Sequence, residues 1–226
     1  MRRRAVLGWK YNCHPNTVLL ITACGQAAAH GMLLVMEEVR CLPRSPELMS
    51  RGDTALLVVD VQEKLVATIV DGPRVVWNVR RLIDGAKVLG LAVVATEQYP
   101  KGLGPTVPEL AERLGAAPSK LTFSCGGCGG LLDGLQARGI NKILVCGIET
   151  HVCIQQTVLD LLADGWRVYV AADAAGSRFD VDHRTALGRM DSAGATITTT
   201  EAALFEWCEA AGTAEFKQIS QLAREG

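Results

Sequence analysis

From residue 54 onward, short apolar runs alternate with longer stretches in which apolar side chains recur every third or fourth position. The short runs, Ala55 to Val59, Ala92 to Ala95, Ile143 to Ile148 and Val168 to Ala172, predict buried strands. Pro73 to Leu89, Gly129 to Ala137, Cys153 to Ala163 and Val181 to Ser192 predict helices between them. A last strand is expected at Ala195 to Thr199, from its β-branched residues, and a closing helix at Glu201 to Ala210. Gly212 to Arg224 predicts an exposed helix, available for association between copies. Such alternation argues for βαβ units and therefore for an α/β fold built on a parallel sheet.

No internal repeat or linker divides Arg51 to Gly226, so residues 51–226 are expected to form one domain. A domain of that size buries around 70% of its unfolded surface, enough for a sound core. Residues 1–50 stand outside the pattern. The MRRR start and the segment TVLLITACGQAAAHG loosely resemble a signal peptide, and ITAC weakly resembles a lipoprotein cleavage box. The apolar core, Val18 to Ala23, is nevertheless shorter than the usual stretch of about 7–15 residues. The expectation is an upstream start-codon extension, with translation beginning near Met32, Met36 or Met49.

Charge and cysteine content narrow the class. A net charge of −1 and a pI near 6.4, with no basic stripe, argue against a nucleic-acid partner. No apolar run approaches the ~20 residues of a membrane span. Eight cysteines in 226 residues are too sparse for a small secreted disulfide scaffold, which points to a reducing, cytoplasmic setting.

Candidate chemistry collects where strands end. Cys153 follows the strand Asn141 to Ile148 and opens a predicted helix, where unpaired N–H groups and the helix dipole favour a thiolate and a lowered pKa. A buried, merely packing cysteine is the alternative. Asp60 ends the strand Thr54 to Val59, where a carboxylate faces the ligand crevice of an open α/β sheet; a helix cap is the other reading. Lys120, in PSKLTFS, reads singly as a solvated charge. His151 is a tempting base for Cys153, yet two residues apart on a helix the side chains diverge by about 200°. His183 reads as a surface histidine. Cys125 and Cys128 form a C-x-x-C that suits a redox dithiol or half a metal site, but no second pair completes four ligands.

Asp60 in LLVVDVQEKL, Lys120 in SKLTFSC and Cys153 in GIETHVC, taken together, resemble the Asp-Lys-Cys triad of the isochorismatase-like cysteine hydrolases, the superfamily that includes nicotinamidases. The likeness runs from about Arg51 to the C-terminal region, and TEQYPKGLGPTVPEL is similar to a poorly characterised branch. The resemblance implies a three-layer α/β/α fold with a six-stranded, mostly parallel Rossmann-like sheet, and a homo-oligomer. It implies that Asp60 takes the Cys153 proton, that the sulfur attacks an amide-like carbonyl of a small molecule, and that Lys120 stabilises both anions. The oxyanion would be held by the backbone N–H groups of Glu149 and Cys153, with a cis peptide between Ile148 and Glu149.

Departures from the family matter as well. Nicotinamidases hold a metal through an Asp and two His after the second strand, whereas no histidine lies between His30 and His151 here, so no metal and no cofactor are expected. The ether-cleaving branch typically lacks the cysteine, so its presence favours C–N hydrolysis. Gln98, Tyr99, Leu103, Phe123 and His151 are candidate substrate contacts. Two other classes stay open: a thiol redox or sensor protein using Cys125 and Cys128, and a non-catalytic binding protein on the same fold.

Overall fold

The computed structural model describes residues 17–22, 35–40 and 42–225. Contacts divide the chain into two units, Met1–Leu48 and Met49–Gly226. In the first, β1 (Thr17–Thr22) pairs antiparallel with β2 (Val35–Arg40), in register from Thr17 opposite Arg40 to Thr22 opposite Val35. Most of the signal-like apolar core therefore lies in β1, and Met36 lies in β2. The MRRR start, Cys24 of ITAC and Met32 fall outside the described residues.

The second unit alternates strand and helix. It runs β3 (Thr54–Val59), α1 (Glu63–Val66), α2 (Gly72–Leu89), β4 (Ala92–Gln98), α3 (Pro100–Leu103), α4 (Pro108–Ala111) and β5 (Ser119–Lys120). It continues with β6 (Lys142–Ile148), a π-helical turn (Thr150–Ile154), α5 (Gln155–Ala163), β7 (Arg167–Gly176), α6 (Asp180–Ser192), β8 (Thr196–Thr198), α7 (Thr200–Cys208) and α8 (Ala214–Arg224). The six strands from β3 to β8 form one sheet in the order β5-β4-β3-β6-β7-β8, and every neighbouring pair is parallel.

Alternation within the central strands explains the three layers. Ala55, Leu57 and Val59 of β3 and Ile143 and Val145 of β6 join one apolar cluster with Ile154, Val158, Ala186 and Met190 from α5 and α6 and the turn before them. Leu56, Val58, Leu144, Cys146 and Ile148 face the other way, onto Val79, Leu82, Leu204, Trp207 and Ile219 from α2, α7 and α8. Each fully buried Leu, Ile or Val contributes about 1.5–3 kcal/mol through apolar transfer, so both sheet faces hold the helices firmly.

Two expectations need correcting. Gly129 to Ala137 is not a helix but a series of turns ending in a short 3₁₀ segment, Gln136–Arg138. Gly130 and Gly134 there take φ of +81° and +76°, left-handed values that break a helix. The predicted exposed C-terminal helix is docked: Ile219 of α8 is fully buried, and Phe216 and Leu222 pack on the same core. Arg81 secures its end by donating to the Leu222 and Ala223 carbonyls at 2.8 and 3.0 Å.

One glycine bears on the site directly. Gly147, near the end of β6, has φ +123°, and a Cβ there would collide with the Val59 carbonyl. Its lack of a side chain lets β6 and β3 close together just before Asp60 and Glu149 leave the sheet.

Candidate active site

Three strands deliver the central groups to the carboxyl edge of the sheet. Asp60 is the residue immediately after β3, fully buried, with φ +51°, a left-handed conformation that is uncommon for a side-chain-bearing residue. Its N–H is anchored to the Thr96 carbonyl at 3.2 Å and its carbonyl accepts from Gln62 N–H at 2.8 Å. Lys120 closes β5, and its Nζ donates to Asp60 Oδ2 at 2.6 Å. Both side chains are sealed, at 0% and 1% exposure, so the reading of Lys120 as a solvated charge fails.

The ammonium has no proton to spare. Besides Asp60 it donates to Gln98 Oε1 at 2.7 Å and to the Phe123 carbonyl at 2.8 Å, with the Thr122 carbonyl at 3.3 Å. An ammonium carries three protons, so Lys120 acts on its surroundings through charge. Oδ1 of Asp60 accepts from the Thr96 hydroxyl at 2.8 Å.

Cys153 lies in the π-helical turn ahead of α5, buried, with its thiol in the fields of Asp60 and Lys120. The expected lowering of its pKa is reversed: burial, reinforced by the neighbouring Asp60 anion, pushes it up to about 12 against the pull of Lys120. Desolvation penalises the charged form more than a helix terminus can favour it. At neutral pH Cys153 is therefore a protonated thiol. Ile148–Glu149 is a cis peptide, and the Glu149 carbonyl accepts from the N–H groups of Val152 and Ile154.

The remaining candidates separate into groups. Gln98 is buried, its amide spanning from Lys120 to the Leu121 carbonyl and its N–H held by Gln62 Oε1 at 2.7 Å. Tyr99 and Phe123 are about half exposed, and Leu103 in α3 is partly buried. His151 turns toward β7, with Nδ1 at 3.1 Å from Ser177 Oγ and Nε2 at 3.8 Å from Asp182. Glu149 pairs its side chain with Arg178 at 2.9 Å. His183 is not a free surface residue: it is half-buried, its Nδ1 lies 2.9 Å from Thr150 Oγ1, and burial pushes its pKa below the usual histidine value.

Cys125 and Cys128 are free thiols, and burial raises both pKa values, the opposite of the depression that activates a redox C-x-x-C. Cys125 belongs instead to the Asp60 neighbourhood, with Sγ 3.5 Å from Thr96 Oγ1. Among the described residues no cluster of three or more His, Cys, Asp or Glu side chains has the arrangement of a metal site. No helix among them is long and apolar enough to cross a membrane.

Several contributors were not legible in advance. Gln62 clamps the site from below, its amide donating to the Gln98 and Gly104 carbonyls at 3.0 and 2.6 Å. Thr157 bridges two turns, donating to the Cys153 carbonyl at 2.6 Å and accepting from Cys125 N–H at 2.9 Å. Thr96 sits level with Val59 in the β3–β4 register, next to Asp60. Only the short spacing from Asp60 to Gln62 signalled any of these in the sequence.

Residues 54–202 match the family described as Isochorismatase domain. Mouse isochorismatase domain-containing protein 2A is 39% identical over 171 residues, covering 75% of this chain and 82% of its own. Among solved structures, the Mar1 ribonuclease of Caenorhabditis elegans superposes with a TM-score of 0.72 at 38% identity, covering 77% of this chain and 91% of its own. The YcaC gene product of Escherichia coli, described as an octameric hydrolase of unknown specificity, shares the fold with a TM-score of 0.72 at 24% identity, covering 80% and 93%.

Proposed function

The chain belongs to the isochorismatase family of hydrolases, and on that premise we propose that it is a cysteine hydrolase that cleaves an amide-like C–N bond of a small molecule through a thioester intermediate. The observation that carries the reading is the sealed Lys120–Asp60 pair set against the Cys153 thiol. As sulfur attacks the carbonyl carbon, its proton passes to Asp60. The tetrahedral oxyanion is met by the backbone N–H groups of Glu149 and Cys153, and the departing amine takes the proton from Asp60. Water then adds to the thioester carbonyl, delivering its proton back through Asp60 to the leaving sulfur. Lys120, with its protons committed, steadies the negative charge as it moves between oxygen and sulfur.

Tyr99, Leu103, Phe123 and His151 are the proposed substrate contacts, while Gln98 is better suited to holding Lys120. The reading keeps metal-independence on the ground that the loop ATEQYPKGLG offers no histidine. It places the function within residues 51–226, in a reducing compartment that preserves the thiol. The octameric E. coli neighbour favours a homo-oligomer here too.

The test is a panel of small amides, ureido acids and N-carbamoyl compounds against the wild type and Cys153→Ala. Turnover of one of them, lost in Cys153→Ala, with an acyl adduct on Cys153 seen by intact mass, is the expected result. An adduct that persists in Cys153→Ala overturns the assignment. Because the C. elegans neighbour is named a ribonuclease, an RNA belongs in the panel; Cys153-independent RNA cleavage as the sole activity would replace the amide reading.

A further inference from the structure

At the Asp60 oxygen not bonded to Lys120, two side chains outside the triad form a directed chain. The Thr96 hydroxyl lies 2.8 Å from Asp60 Oδ1, and Cys125 Sγ lies 3.5 Å from the same hydroxyl oxygen. A carboxylate paired with an ammonium has no proton to give, so Thr96 must donate to Asp60. That uses the single hydroxyl proton. Between Thr96 and Cys125 the thiol is therefore the donor, and the order runs Cys125 S–H to Thr96 Oγ1, then Thr96 O–H to Asp60 Oδ1.

We propose that Thr96 and Cys125 are positioning residues for Asp60: the Cys125 thiol locks the Thr96 hydroxyl onto Oδ1, which keeps the other carboxylate oxygen for Lys120 and the group as a whole available to the Cys153 proton. The inference rests on the hydrolase reading, in which Asp60 is the proton carrier. Burial keeps the Cys125 thiol protonated, as a donor must be. Its backbone is pinned by Thr157 and by the Ser124 cap of the short 3₁₀ turn, so the thiol is held in place. The charged and titratable groups around Asp60 are Lys120 from β5, Cys153 from the π-helical turn, and Cys125 and, farther off, Cys128 from the 3₁₀ turn.

Asp60 is the proposed acceptor of the Cys153 proton, so alkylation of Cys153 by iodoacetamide, followed by peptide mass spectrometry across pH, tests that link without any substrate. Removing the hydroxyl donor in Thr96→Val makes the carboxylate a stronger proton acceptor. The acid midpoint of Cys153 alkylation should then move up by about one pH unit, with a faster plateau above it. Thr96→Ser should restore the wild-type profile. Cys125→Ala should shift the midpoint the same way by less, and Cys125→Ser should leave it in place. A midpoint unmoved in both Thr96→Val and Cys125→Ala overturns the chain while leaving the triad intact. A midpoint that survives in Asp60→Asn overturns both the proposal and the hydrolase reading beneath it. Should Thr96→Val fail to fold, the two Cys125 variants decide the matter.

Discussion

Strand β3 carries an aspartate at each end, and each is paired with a largely buried lysine. At the amino end Asp53 meets Lys142 at 2.7 Å; at the carboxyl end Asp60 meets Lys120 at 2.6 Å. The chemical groups are the same, but their surroundings differ. Asp53 is 29% exposed and also takes bonds from the Thr54 hydroxyl at 2.7 Å and Ser50 N–H at 2.9 Å. Its pKa lies below the ordinary value: burial opposes the charge, but the Lys142 bond and these donors outweigh it. These contacts lie at the amino ends of β3 and β6, and the pair fastens the two strands. Asp60 and Lys120 are closed to water and face a thiol whose proton is held tightly. In the proposed hydrolase the carboxyl-end pair differs from the amino-end pair in being dry, in having a cation with no donor left over, and in lying beside the proposed nucleophile.

The contrast can be broken most sharply by neutralising each aspartate in turn. Asp60→Asn should lower hydrolysis by about 10²–10⁴-fold, the usual worth of a positioned proton carrier, whereas Asp53→Asn should leave it within about twofold. Iodoacetamide labelling should move oppositely. With the anion gone, Lys120 is left facing Cys153 and favours its thiolate, so at pH 7 Asp60→Asn should label faster than wild type. Slower labelling would mean that the anion adds nothing to the effect of burial on the Cys153 pKa.

Stability should separate the pairs next. Lys120→Met strands a buried carboxylate and should cost about 3–5 kcal/mol by denaturant titration. Lys142→Met leaves Asp53 partly solvated, and screening limits the loss to about 1 kcal/mol. Equal losses would erase the distinction.

The smallest expected effect is in acid. Asp53 has a depressed folded-state pKa, so its contribution is present above the unfolded value near 3.9 and is lost as pH falls through the folded value. The stability gap between wild type and Asp53→Asn should be constant from about pH 7 to 5 and shrink below about pH 4. A gap that instead widens on acidification contradicts the depressed value.

The same divide runs between what could be read from the chain and what could not. Asp60 and Cys153 were legible because each follows a strand whose apolar run is continuous, Asp60 directly and Cys153 in the turn after it, and in a parallel sheet such positions fall on one edge. Lys120 ends a strand of two residues, too short for any periodicity, and resemblance alone singled it out. Gln98 was expected as a substrate contact, yet its amide is turned to Lys120, a geometry that depends on β4 and β5 lying side by side. Thr96 carried no signal and Cys125 drew notice only as half of a C-x-x-C; their pairing across 29 residues is set by the fold.

By itself the sequence determined the alternation of strand and helix, the parallel sheet and the edge at which its strands end, because side-chain period and turn chemistry are local properties of the chain; the helices on both faces were implied by the family resemblance. It went wrong where a local rule met a distant neighbour: a glycine-rich stretch that did not become a helix, a C-terminal helix docked on the core, a histidine tied to Thr150, and above all the protonation of Cys153. Whether that sulfur is a thiolate depends on how much water and which charges reach it. Only the packing of β3, β4, β5 and the turn after β6 around one point decided that.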